Sequence, residues 1–178
     1  MLLSRWRVDL AWLGLLAVPL ARPSDASILW ALPLLAFGVA LRLWARGHLE
    51  RGRAVARTGP YAFVRHPLYV GSFFIALGFA CITRRPWFPP LVIVIFLVLY
   101  VPKALREEAW LRKRFPKQYE DYASRVGAVF PRTLTPWSDA DVRFRWRRVL
   151  RHREWQTWIG VAALLFLMWI RAATLASH

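Results

Sequence analysis

The apolar residues of this chain come in long runs, and its cations lie almost entirely between them. This alternation constrains the fold more than any other feature. A helix needs about 17–25 mostly apolar residues to cross roughly 30 Å of hydrocarbon. Four runs meet that need: Ile28 to Leu41 continuing toward Trp44, Leu68 to Thr83, Pro86 to Pro102 and Trp155 to Ile170. A fifth, Val8 to Ala21, is shorter and is interrupted by Asp9 and Pro19. In lipid, open strands would leave backbone groups unpaired, so these segments must be helices. Pro67 and Pro86 suit first-turn positions, where the missing N–H costs nothing. The turn Arg84–Pro90 is so short that the flanking helices must form an antiparallel hairpin.

Charge orients the set. Segments 1–7, 42–66 and 103–153 hold two, six and fourteen Lys or Arg, 22 of the 26 in the chain. By the positive-inside rule these segments are cytoplasmic, with the N-terminus inside and an odd number of spans. Arg5 and Arg7 ahead of an apolar stretch resemble a signal peptide. No small-residue cleavage site follows, so that stretch is read as a retained helix. A net charge of +16 in a soluble domain would suggest nucleic acid, but here topology accounts for the cations. The expected fold is all-α: a polytopic membrane helix bundle with about five transmembrane helices and a cytoplasmic amphipathic helix. The chain is read as one membrane domain, 1–178. Residues 1–52 give two spans and a loop, 53–131 the motif region with the hairpin, and 132–178 a basic segment and final span. The setting expected is an integral membrane protein of a bacterial inner membrane.

The amphipathic helix is expected within Lys103 to Arg125, where Leu111, Phe115, Tyr119, Tyr122 and Val126 make one helical stripe. Beyond it Phe130-Pro131 and Pro136 break regularity, and Arg143 to Arg153 is almost purely basic, suited to anionic headgroups. Cys81 is the only cysteine, and His48, His66, His152 and His178 are scattered, so no zinc site is expected. No dinucleotide fingerprint, Walker loop or serine elbow is present.

Two segments stand out on the charged side. In Gly59-Pro60-Tyr61 to Arg65-His66-Pro67-Leu68-Tyr69-Val70-Gly71, a Gly-Pro turn precedes a Pro-started helix. Arg65, His66 and the free amides of that helix start would bind a carboxylate or phosphate. The same residues would also serve as plain juxtamembrane anchors. In Lys103-Ala104-Leu105-Arg106-Glu107-Glu108, two of only ten acids are adjacent at the end of a span. They would bind hydroxyls or offset a bound cation, or simply pair Lys103 with Glu107 along the helix.

In this order and spacing, the Arg65-His66-Pro67-x-Tyr69 element and the Glu107-Glu108 to Phe115, Tyr119 and Tyr122 element resemble the isoprenylcysteine carboxyl methyltransferase family. That family is similar in outline to the phospholipid N-methyltransferases. The resemblance covers roughly Arg53 to Pro131. It implies an integral membrane S-adenosylmethionine-dependent methyltransferase acting on a lipid-like or apolar acceptor, whether carboxylate, amine or thiol. Tyr61, His66, Pro67, Leu68 and Tyr69 would line the cofactor pocket, with Arg65 facing the cofactor carboxylate. Glu107 would hold the cofactor with Glu108 beside it, and Arg53 to Ala56 would wrap the adenosyl part. The family's carboxyl methyltransferases carry an arginine four residues before the cofactor-binding glutamate. This chain has Lys103 there, with Arg106 as a possible substitute, and these two are the candidate catalytic residues. Val126-Gly127 also replaces the family's Val-Pro. The partners implied are the acceptor and membrane lipids, without metal or nucleic acid. The reading from another class is a non-catalytic membrane protein that binds anionic lipid or a partner through its basic face.

Overall fold

The computed structural model describes residues 18–49, 55–133, 135–137, 142–151 and 153–177. Among them the chain forms six α-helices and no strand. These are α1 (Asp25–His48), α2 (Pro67–Ile82), α3 (Phe88–Arg114), α4 (Pro116–Arg125), α5 (Trp146–Arg151) and α6 (Trp155–Ala176), with a 3-10 turn at Gly59–Ala62. Three of them, α1, α3 and α6, are long and apolar enough to cross a membrane. At 16 residues α2 spans about 24 Å, short of the hydrocarbon thickness. Most of the expected short first span lies outside the described residues, and its end at Val18–Leu20 is a turn.

Local chemistry sets the helix ends. Ser24 caps α1: its Oγ accepts from the Ser27 amide at 3.3 Å, while Ser27 Oγ accepts from the Ser24 amide at 3.0 Å. This reciprocal box satisfies donors that the first turn leaves orphaned. Asp25 adds an acid to that turn, where the helix dipole favours it. Pro67 is the first residue of α2, as expected from the sequence. Pro86 instead lies in the turn before α3, whose first helical turn carries Pro89 and Pro90. The expected single amphipathic helix is also corrected. α3 runs on to Arg114, Phe115 leaves helical geometry (φ −137°, ψ 61°), and Pro116 starts α4. A proline cannot bond back into the preceding turn, so the helix breaks there.

Helices α1 and α2 pack antiparallel along their length. At the lightly charged end Ser27 Oγ donates to the Ile82 carbonyl at 3.2 Å, and the Arg22 amide donates to Thr83 O at 3.0 Å. In the middle the backbones approach so closely that a Cβ on Gly38 would stand 2.6 Å from the Gly71 carbonyl oxygen. Small residues permit this approach in membrane helices. Ala21, Ala31, Leu35, Ile82 and Met168 form the buried core between α1, α2 and α6. α3 buries no residue fully. It lies on α2 through aromatic pairs, Phe73 with Phe96 (5.2 Å between ring centroids) and Tyr69 with Tyr100 (5.2 Å). Leu91, Val94, Val98, Val101 and Leu105 form its exposed apolar face.

A second buried cluster sits at the charged end of the bundle. Val55, Tyr119, Tyr122 and Val126 pack together, flanked by Leu111, Phe115 and Trp137. The predicted stripe therefore turns inward onto protein.

Candidate active site

The site begins where the chain enters α2. The turn at Gly59 has φ +60°, and a Cβ there would stand 2.5 Å from the His48 ring, so glycine suits both backbone and space. Thr58 Oγ1, next to it, lies 3.0 Å from His48 Nδ1 and ties the turn to the end of α1. Tyr61 is buried in this turn, and its carbonyl accepts the Tyr122 hydroxyl at 2.8 Å. The segment after α4 then clasps the same stretch. Arg65 N donates to Gly127 O at 2.8 Å, His66 N to Ala128 O at 3.0 Å, and Trp137 N to Ala62 O at 3.2 Å. These bonds hold residues 61–66 against α4.

This clasp presents Arg65 and His66 to the end of α3. His66 is buried, and its Nε2 lies 2.8 Å from Glu108 Oε1. Arg65 Nη2 reaches the same oxygen at 3.1 Å, and its Nη1 donates to Ala123 O at 3.1 Å. The adjacent acid faces differently: Tyr69 donates its hydroxyl to Glu107 Oε2 at 2.6 Å on the exposed side. The His66 and Tyr69 rings stack at 5.4 Å and 11°. Lys103 Nζ lies 5.2 Å from the Tyr69 ring centroid and 5.4 Å from that of Tyr100, within cation–π range of both.

Most of the residues expected from the sequence thus come together: Tyr61, Arg65, His66, Pro67, Leu68 and Tyr69 from one element, and Lys103, Glu107 and Glu108 from the other. Arg106 is exposed on α3 and takes no part in these contacts. Of the stretch expected to wrap a ligand, Arg53 and Ala54 lie outside the described residues, while Val55 is buried under the tyrosines. The amides expected to greet an anion at the α2 start are partly used. Those of Tyr69 and Val70 donate to His66 O at 3.0 and 3.1 Å, which leaves the side chains as the main donors.

Tyr119 and Tyr122 back the cluster. Burial pushes both phenols well above their ordinary pKa, and for Tyr119 the Glu108 charge adds to it. Both therefore stay protonated. The Tyr119 hydroxyl is buried against the Glu108 carboxylate, in looser geometry than the Tyr122 bond.

Sequence reasoning missed a buried ionic network beside this site. Glu154, fully buried ahead of α6, accepts from Arg42 Nε at 2.7 Å and from Arg46 Nε at 2.9 Å. Burial works to raise its pKa, but the two guanidiniums outweigh it and hold the carboxyl below the usual glutamate range. The available signal was a pair of arginines one turn apart near the end of an apolar helix. The basic run was also read only as a headgroup surface. In the structure Val149 is buried, and the Arg145 amide and Arg148 Nη1 both donate to Gly47 O at 3.1 Å. Part of the run therefore clamps the end of α1.

Known proteins resemble the chain over the same stretch. The family model described as phospholipid methyltransferase (PEMT) matches residues 26–118, which include both halves of the cluster. The chain is 33% identical over 93 residues to the nickel-cobalt-cadmium resistance protein NccN of Alcaligenes xylosoxydans xylosoxydans, covering 51% of this chain and 43% of that protein. It is 31% identical over 113 residues to the cobalt-zinc-cadmium resistance protein CzcN of Cupriavidus metallidurans, covering 58% and 52%. It is 32% identical over 84 residues to the protein-S-isoprenylcysteine O-methyltransferase of Saccharomyces cerevisiae, covering 46% and 34%. The chain spans about half the length of these relatives or less. No solved structure matches it. Among the described residues, no three His, Cys, Asp or Glu side chains gather as a metal site would require. The family match covers the Arg65 to Tyr69 element and the Glu107 to Phe115 part of the second, and the chain belongs to the phospholipid methyltransferase family of membrane methyltransferases.

Proposed function

We propose that this chain is an S-adenosylmethionine-dependent methyltransferase that acts on a lipid-like or apolar acceptor at the charged, cytoplasmic face of the membrane. The observation that carries this reading is the joining of His66 and Tyr69, at the start of α2, to Glu108 and Glu107 at the end of α3. Both pairs lie inside the stretch matched by the family.

The residues suit the donor. Arg65 Nε is buried with no acceptor among the described residues, and it is the group we assign to the donor's carboxylate. Glu107 is exposed and would accept from hydroxyl or amino groups. The ring faces of Tyr69 and Tyr100 already flank one cation, the Lys103 ammonium, and a sulfonium has the same electrostatic preference. When bound, the donor supplies an activated methyl group, so the protein needs no nucleophilic side chain. What remains for the chain is alignment and exclusion of water. Lys103, with Arg106 one turn on, would orient the acceptor, whose apolar tail stays in the bilayer. A bundle in which α2 also crosses, with a further span before α1, gives the five crossings that place both basic segments inside.

Calorimetry on the purified full chain in detergent tests the reading. S-adenosylmethionine should bind, and His66→Ala and Glu107→Ala should each weaken binding about tenfold, the size of one charged hydrogen bond. Unchanged affinity in both variants overturns the assignment. Transfer of a labelled methyl group to a membrane extract then identifies the acceptor.

A further inference from the structure

The Arg42–Glu154 pair belongs to neither set of residues assigned to donor or acceptor, yet its connections lead to the site. Arg42 leaves α1 across Gly71, where a Cβ would stand 2.6 Å from Arg42 Cγ. Its guanidinium then divides between two helices. Nε donates to Glu154 Oε1 at 2.7 Å and Nη2 to Thr157 Oγ1 at 3.3 Å, both at the start of α6. Nη1 donates to the Ser72 hydroxyl and, at 3.4 Å, to the Leu68 carbonyl, both on α2. Ser72 Oγ in turn donates to Leu68 O at 2.9 Å. Leu68 lies between Pro67 and Tyr69, so these donors converge on the turn that carries His66 and Tyr69. Arg46 takes the second oxygen of Glu154, which leaves the first aimed at Arg42.

Three helices could be joined more cheaply by apolar packing, because a buried ion pair recovers little more than its desolvation cost. What such a network adds is geometry: a planar fork with fixed donor directions. We propose that Arg42, held by Glu154, is a positioning residue that fixes the first turn of α2 and with it His66 and Tyr69. The effect on the donor rests on the methyltransferase reading; the effect on the turn does not.

The test uses the full chain in nanodiscs, comparing wild type with Arg42→Lys and with the double variant Arg42→Gln, Glu154→Gln. Hydrogen–deuterium exchange of residues 65–72 reports the turn, and calorimetry reports S-adenosylmethionine affinity. A lysine ammonium cannot reach Glu154, Thr157, Ser72 and Leu68 together, so exchange over 65–72 should rise while α3 is unchanged. Affinity should fall about tenfold. The double variant keeps the buried net charge at +1, Arg46 alone replacing two arginines and one glutamate. It should remain loose at the same turn. Unchanged exchange over 65–72 in Arg42→Lys overturns the proposal, as does wild-type exchange in the double variant, which would reduce the network to charge balance. A wild-type chain that binds no S-adenosylmethionine overturns the function proposed above, while the exchange data still decide the role of Arg42.

Discussion

His66 Nε2 and Glu108 Oε1 stand 2.8 Å apart although 42 positions separate them in the chain, and Arg65 shares the same carboxylate oxygen. One acid thus serves two donors at the seam between α2 and α3. Replacing Glu108 with Ala leaves a largely buried guanidinium and imidazole facing each other. The expected loss is about 1–3 kcal/mol, read as a lower melting temperature in detergent, with Glu108→Gln recovering part of it through neutral hydrogen bonds.

The two tyrosines behind that seam should answer differently to the same change. Tyr122 donates to the buried Tyr61 carbonyl at 2.8 Å, so Tyr122→Phe removes a made bond and should cost about 1 kcal/mol. The Tyr119 hydroxyl meets the Glu108 carboxylate only in loose geometry, so Tyr119→Phe should cost less than Tyr122→Phe. Thermal melts of the two variants side by side decide it. A larger loss in Tyr119→Phe would contradict the assignment.

Glycines at different depths should also separate. A methyl group at Gly71 would meet Arg42 Cγ at 2.6 Å and the Gly38 carbonyl at 2.8 Å. Gly71→Ala should therefore cost about 1–3 kcal/mol through overpacking. Gly160, in α6, has nothing within 4 Å of the same position. Gly160→Ala should stabilise by about 0.5–1 kcal/mol through helix propensity alone. Melting temperatures shifting in opposite directions are the expected result.

Acid should loosen the bundle at a defined group. Glu154 has its folded pKa held below the ordinary value of 4.5, so the folded state favours its ionised form. That contribution is fully present above the unfolded-state value and is lost as pH falls through the folded one. Melting temperature should begin to soften below pH 6.5, where burial resists protonation of His48, and decline further below the ordinary glutamate range, where Glu108 and Glu154 take up protons. In Glu154→Gln the curve should start lower and lose this part of the decline.

What could be read from the sequence follows from the range of the forces involved. Hydrophobic runs report burial away from water directly, so α2 was bounded to within one residue at each end, Leu68 to Thr83 against Pro67–Ile82. The ends of α1 and α6 run past their apolar runs, because helix formation needs only satisfied backbone, not apolar side chains. The tyrosine stripe was legible, but its continuity was not: Pro116 restarts the helix, and the spacing survives across the break. His66 and Glu107-Glu108 were recognisable because their residue types and order are specific. Arg42 and Glu154, 112 positions apart, carry no such local pattern, and among 26 cations an arginine's partner is set by packing.

The backbone contact between Gly38 and Gly71 also decides traffic. A seam too narrow for a single added methyl group is closed to a hydrocarbon chain. An acceptor tail of the kind proposed would meet α2 on its other flank, at the rings of Phe73, Phe96 and Tyr100. The close joint between α1 and α2 thereby gives the molecule a front and a back.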